Sequence, residues 1–176
     1  MRNGRKHGIA VSFGGLAGGL LGTATIQKAM GLSQKLPEPL RMPEMRADPG
    51  ELAVKRIEEV RGGPLTPKVH VRAAHAIHWL YGLAWAGALA PLASRLRMHR
   101  LGNALAAGAA MGALSWAAGY AGWLPAAGVT RPIAREKASK TAISLATHLL
   151  YGVVAAVPLY AVERLFRPRR IPLRWF

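Results

Sequence analysis

Hydrophobic and polar positions separate along this chain into four long stretches without a formal charge: Ile9 to Gln27, Ala73 to Ser94, Leu101 to Leu124 and Thr141 to Val162. All 24 Lys and Arg and all 8 Asp and Glu lie between or beyond them. Each stretch reaches the roughly 20 residues needed to cross about 30 Å of hydrocarbon as a helix. Four buried soluble helices of that length in a chain of 176 residues would leave too little polar surface to solvate a globule. The pattern therefore predicts an all-α polytopic membrane protein with four transmembrane helices, at about 9–30, 73–94, 101–124 and 141–163. They form a single transmembrane domain over 9–165, flanked by a basic N-terminus 1–8 and a basic tail 166–176. The first stretch follows "MRNGRKHG" and so resembles a secretory signal peptide, but its apolar part is long for that role and lacks a convincing cleavage site. It reads as a span.

The connection 32–72 is more than a spacer, since it carries six of the twelve prolines and six of the eight acids. Pro37, Pro39 and Pro43 predict an extended lead-in. "DPGELAVKRIEEVRGG" then predicts a short helix, with Asp48 before Pro49 at the start and Gly62 and Gly63 at the stop. Ala53, Ile57 and Val60 share one face at helical spacing, so the helix is expected to lie on the membrane surface or over the bundle mouth. A solvated helix without a partner is the alternative.

Small residues predict how the spans pack. Gly14, Gly18 and Gly22 recur every four residues beside Gly15 and Gly19, and at about 100° per residue all five fall on one stripe. Ala104, Gly108, Gly112, Ser115 and Gly119 repeat the device in the third span. Such residues let membrane helices approach closely, within the chain or, alternatively, across a homodimer.

One pentapeptide recurs. "HWLYG", His78 to Gly82, returns as "HLLYG", His148 to Gly152. The order is a glycine-rich span then a His-bearing span, twice, and two crossings separate the His-bearing pair, so these run in the same direction. This predicts a bundle built from two parallel repeated helical hairpins. Both imidazoles fall roughly 7 to 11 Å below the outer end of their helices. His75, His78, Gly82 and Ala86 share one arc, and Ser144, His148, Tyr151, Gly152 and Ala155 another. His78 and His148 are therefore expected to face inward, with Tyr81 or Tyr151 as hydrogen-bond partners. Pro91 and Pro158 are candidate kinks in the same two helices.

Charge adds orientation. The net charge is +16, and with four spans the termini and the Arg95 to Asn103 turn share one side, where short segments are rich in arginine. This places both termini in the cytoplasm and anionic lipid headgroups among the partners of the bilayer-embedded chain. The cations flank apolar spans and make no basic face interleaved with aromatics, so nucleic acid is not an expected partner. Absence of cysteine excludes disulfides and thiolate chemistry.

The glycine-rich first span ending "GTATIQKAM", the "HWLYG" and "HLLYG" pair, and "GAAMGALSWAAGYAGWLP" resemble the YagU-like inner-membrane proteins of bacteria. The resemblance covers most of the chain. It implies a four-span protein of the bacterial inner membrane, from a family without an established biochemical activity, and it carries over no catalytic residue. The excess of arginine over lysine fits a GC-rich bacterial genome.

No nucleophile elbow, P-loop, dinucleotide glycine pattern or H-E-x-x-H motif occurs, so no enzymatic activity is expected. Glu163, the only acid bordering a span, reads as interfacial beside Arg164. The expected function is that of an accessory or structural membrane protein with an inward polar network of His75, His78, Tyr81, His148 and Tyr151. A proton-linked or small-solute transporter or channel using His78 and His148 is the alternative. Bis-histidine haem or metal binding is the third, with His75 the only nearby further ligand. Gly82 and Gly152, one turn beyond the histidines, predict close helix approach and a water-sized gap rather than a haem cleft, so neither cofactor nor metal is expected.

Overall fold

The computed structural model describes residues 2–166, so the tail expected at 166–176 lies, beyond Phe166, outside the described residues. Five helices carry the fold: α1 Arg2–Ser33, α2 Pro49–Arg61, α3 Pro67–Leu89, α4 Leu101–Trp116 and α5 Ala138–Phe166. There is no strand among the described residues. Two of the helices, over Arg5–Ser33 and Ala138–Phe166, are long and apolar enough to cross a membrane.

Helix ends differ from the expected spans for local reasons. α1 begins inside the basic N-terminus, where no proline intervenes before Ile9. α3 starts six residues before Ala73, because Pro67 fits the first helical turn after an extended Thr66. Pro91 does not kink α3; it sits in a 3-10 turn, Ala90–Leu92, that follows the helix. Pro158 lies inside a continuous α5. α4 runs on through a π-helical segment, Ala117–Trp123, in which Gly122 leaves helical geometry at φ −105° and ψ −106°.

α5 is the central helix. It packs along α1 on one side and α4 on the other, while α3 packs mainly on α1. α3 and α4 meet only slightly, which leaves space between them. Missing side chains set the approach. A Cβ added at Gly18 would strike the Ala155 carbonyl oxygen, and one at Gly112 would strike that of His148. Gly108 and Gly152 exclude one another's Cβ through their carbonyls. The five glycines of α1 do not form the single stripe expected. Gly14, Gly18 and Gly22 face α5, whereas Gly15 faces the end of α3 and the turn after it, at Gly87 and Ala90, and Gly19 faces α3 at Leu83. A helix surface is wide enough for two such arcs, and both are occupied within the chain.

Small residues are common at the helix contacts, beside fully buried Met98 and Leu159, and large apolar side chains lie on the outside. Ala86, Ala93, Ala104, Ala155, Ala156 and Ser144 are almost fully buried, while Phe13 (67% exposed), Leu80 (62%) and Leu114 (62%) point outward.

The connection folds as a lid over one end of the bundle. Asp48 caps α2 by accepting from the amides of Gly50 and Glu51 at 2.8 and 3.0 Å, and Gly62 ends it in the left-handed region at φ 82°. α2 buries residues that its apolar periodicity did not single out. Gly50 and Val54 are buried against α3, Gly50 so closely that a Cβ would meet the Ala74 carbonyl oxygen, while Ile57 and Val60 are exposed. Close backbone approach selected Gly50, which an apolar count overlooks. Met45 and Leu52 join Tyr120, Leu124 and Val129 in a small second core, and the Arg46 amide donates to the Val129 carbonyl at 2.8 Å.

Candidate functional site

Between α3 and α4, under the lid, lies a cavity of about 470 Å³. α1 contributes Thr23, Ile26 and Met30 to it, α3 contributes His78, Tyr81, Gly82 and Trp85, and α5 contributes His148 and Tyr151. Ser115, Tyr120 and Trp123 close it from the α4 side, and Pro49, Leu52 and Ala53 from the lid. The walls are mostly apolar, and the volume falls in the range of small-molecule pockets. It is far larger than the water-sized gap expected from Gly82 and Gly152. Those glycines do bring helices together, Gly82 on Thr23 and Gly152 on Gly108, with Gly82 and Thr23 themselves at the cavity wall.

His78 and His148 both line this cavity, whereas His75 is exposed on α3 and does not. The tyrosines do not pair with imidazole as expected. Tyr151 is buried and donates its hydroxyl to the Gly82 carbonyl at 2.6 Å, tying α5 to α3. Tyr81 is 42% exposed and sets its ring edge against Trp85. His148 is instead held by its own helix and by α4. Its Nδ1 lies 2.8 Å from the Ser144 carbonyl oxygen, and the Tyr120 ring meets it edge-on with centroids 5.6 Å apart. The Trp116 indole donates to Ser144 Oγ at 3.1 Å, fixing α4 against the same turn.

Thr23 adds a polar group that the sequence did not single out. It is 1% exposed, lines the cavity, and its hydroxyl has no hydrogen-bond partner among the described residues. No group of three or more His, Cys, Asp or Glu that could hold a metal occurs among the described residues.

A second polar cluster sits at the opposite end of the bundle, around Glu163. Glu163 is fully buried. Its Oε1 accepts from Ser94 Oγ at 2.8 Å and lies 3.1 Å from His7 Nε2. His7 Nδ1 faces the Phe166 carbonyl at 3.2 Å. Both ring nitrogens thus face oxygen atoms of the α5 end. The signal was in the spacing: Gly152, Ala156, Leu159 and Glu163 share a face of α5, and His7, Val11, Gly14 and Gly18 share one of α1.

Ion pairs fasten the connection. Glu38 bonds Lys140 at 2.8 Å and Lys137 at 3.0 Å, and these two ammonium groups, Lys140 foremost, lower its carboxyl pKa to about 2. Glu58 accepts from the Leu65 amide at 2.9 Å and pairs with His70 at 2.9 Å, which together hold its pKa below the usual carboxylate value.

Comparison with family models, with curated proteins and with solved structures returns no match for this chain.

Proposed function

We propose that the chain is a four-span membrane protein that holds a small apolar molecule in the cavity between α3 and α4, as an accessory protein without catalysis. The cavity carries this reading, because it is pocket-sized, mostly apolar, and the place where both repeated histidines converge. Membrane residence is supported by the two helices long and apolar enough to cross a membrane and by large apolar side chains on the outside, Phe13, Leu80 and Leu114 among them, which suit lipid contact. In this proposal α1, α3, α4 with its π-helical extension, and α5 each cross the membrane. The helices form two parallel hairpins, α1 with α3 and α4 with α5, and both termini are cytoplasmic. Location in a bacterial inner membrane, contact with anionic lipid and membership of the YagU-like family belong to the same proposal and rest on the sequence.

Holding is favoured over conduction. Beyond Trp85 and Tyr151 the interior toward the other end is filled by the buried side chains of Ala86, Leu89, Ala155 and Leu159, so the cavity ends blind.

The test is to purify the full chain from bacterial membranes and identify bound organic molecules by mass spectrometry. A stoichiometric apolar molecule is expected, lost from Ala53→Trp, which puts an indole into the cavity from the lid without touching the helix interfaces. A chain that retains no such molecule and whose tryptophan fluorescence responds to no apolar probe overturns the proposal. A fluorescent reporter fused after Phe176 should light up in the cytoplasm, and alkaline phosphatase placed within Glu51 to Gly62 should be active outside. The reverse pattern refutes the orientation.

A further inference from the structure

We infer that the molecule this cavity takes carries a hydroxyl group on an apolar body, and that its O–H donates to Nε2 of His148. The inference rests on the proposed reading of the cavity as a binding site and names the ligand's polar chemistry.

The argument starts from the one hydrogen bond His148 makes. Its Nδ1 lies 2.8 Å from the Ser144 carbonyl oxygen. A carbonyl oxygen can only accept, so Nδ1 must carry the hydrogen. A neutral imidazole has one N–H, which leaves Nε2 as a bare lone pair. That atom has no hydrogen-bond partner and is not sealed from solvent among the described residues, and the residue lines the cavity. Packing fixes this tautomer: the ring is held edge-on by Tyr120, and Ser144 by the Trp116 indole. The cavity wall therefore presents an acceptor whose orientation is set before any ligand enters.

An acceptor in an apolar cavity selects a donor. A ketone, ester or ether offers only lone pairs and would leave both groups unsatisfied, whereas a hydroxyl satisfies Nε2 with its hydrogen. Thr23 also lines the cavity, but its own hydroxyl is sealed against Gly82 of α3 and takes no part. Metal coordination is the other use of an imidazole lone pair, but the described residues bring no further ligand set around it.

The experiment compares para-octylphenol with its methyl ether, para-octylanisole, on the full chain in phospholipid nanodiscs at pH 8, above the ordinary imidazole pKa of about 6.5. Binding is read from the fluorescence of the cavity tryptophans Trp85 and Trp123 and corrected for partition into empty discs. The phenol should bind about fivefold more tightly than the ether, the discrimination of one neutral hydrogen bond. His148→Phe should bring the ratio to about one while keeping affinity for the ether, with helix content and melting as controls. If that variant does not fold, nitrogen NMR of the unsubstituted protein decides, since the Nε2 resonance of His148 should move with the phenol and stay with the ether. Equal affinity for the two probes, or a ratio unchanged in a folded His148→Phe, overturns this inference and leaves the binding site standing. Failure of both probes to bind overturns the binding site with it.

Discussion

Replacing Gly18 with alanine adds one methyl group at the point where α1 and α5 are closest. The new Cβ would strike the Ala155 carbonyl oxygen and stand 3.1 Å from its carbonyl carbon. Both are backbone atoms, and no rotamer can move them. Relief must come from separating two long helices by several tenths of an ångström along their contact. A radial gap approaching 0.5–1 Å forfeits about a quarter to a half of each dispersion well, and overpacking of this kind costs about 1–3 kcal/mol. The backbone obstacle puts Gly18→Ala near the top of that range, at about 3 kcal/mol. Gly87 on α3 is the matched control, because a Cβ there meets nothing within 4 Å. Gly87→Ala should be neutral or stabilising by up to about 1 kcal/mol, through lost freedom in the unfolded chain. Both variants change glycine to alanine in a helix, so propensity predicts the same sign for both and packing predicts opposite signs. Reversible unfolding in mixed detergent, followed by helical circular dichroism, measures the difference. Equal shifts for the two variants would refute the α1 and α5 contact as the origin of the glycine spacing.

Tyr151→Phe removes the hydroxyl that reaches the Gly82 carbonyl and should cost about 1 kcal/mol of unfolding free energy; an unchanged unfolding curve would show that the bond between α5 and α3 contributes nothing. His7→Ala strips a partner from the buried Glu163 carboxylate and should cost about 3 kcal/mol, as breaking buried pairs does. The same change made in a Glu163→Gln background should cost clearly less, and a double-mutant cycle without coupling rejects the pair. The Glu38 carboxyl pKa is depressed to about 2 by Lys140 and Lys137, so its attachment of the connection to α5 is complete above the ordinary value of 4.5 and is lost as pH falls toward 2. Hydrogen exchange over residues 34–41 should rise across that window in the native protein and be high at all pH values in Lys140→Met; a pH-independent profile in both contradicts it.

The helical architecture was legible because charge-free runs and proline or glycine punctuation act locally. Asp48, Pro49 and Gly62 marked α2, and the pentapeptide at His78 and His148 marked two residues that do line one cavity. What remained hidden depends on which helix meets which. Periodicity put five glycines on one stripe, but only the placement of α3 and α5 around α1 splits Gly15 and Gly19 from Gly14, Gly18 and Gly22. It put Ala53, Ile57 and Val60 on one face of α2, of which Ala53 lines the cavity while Ile57 and Val60 are exposed, and it passed over the buried Gly50 and Val54. Glu163 looked interfacial because a charge next to an arginine usually is; its partners His7 and Ser94 lie 156 and 69 positions away in the chain. The cavity itself had no sequence signature, since it exists where α3 and α4 fail to meet.

The central position of α5 also sets a timetable for biogenesis. The faces of α1 at Gly18 and of α4 at Gly112 both close on carbonyls of this last helix. While the ribosome is still making the chain, α1 can pair only with α3, and α4 has no extensive neighbour at all. Two glycine faces therefore stay uncovered until α5 has been made. A chain arrested before Ala138 would leave both faces bare, and would display to quality control a surface that the finished protein never shows.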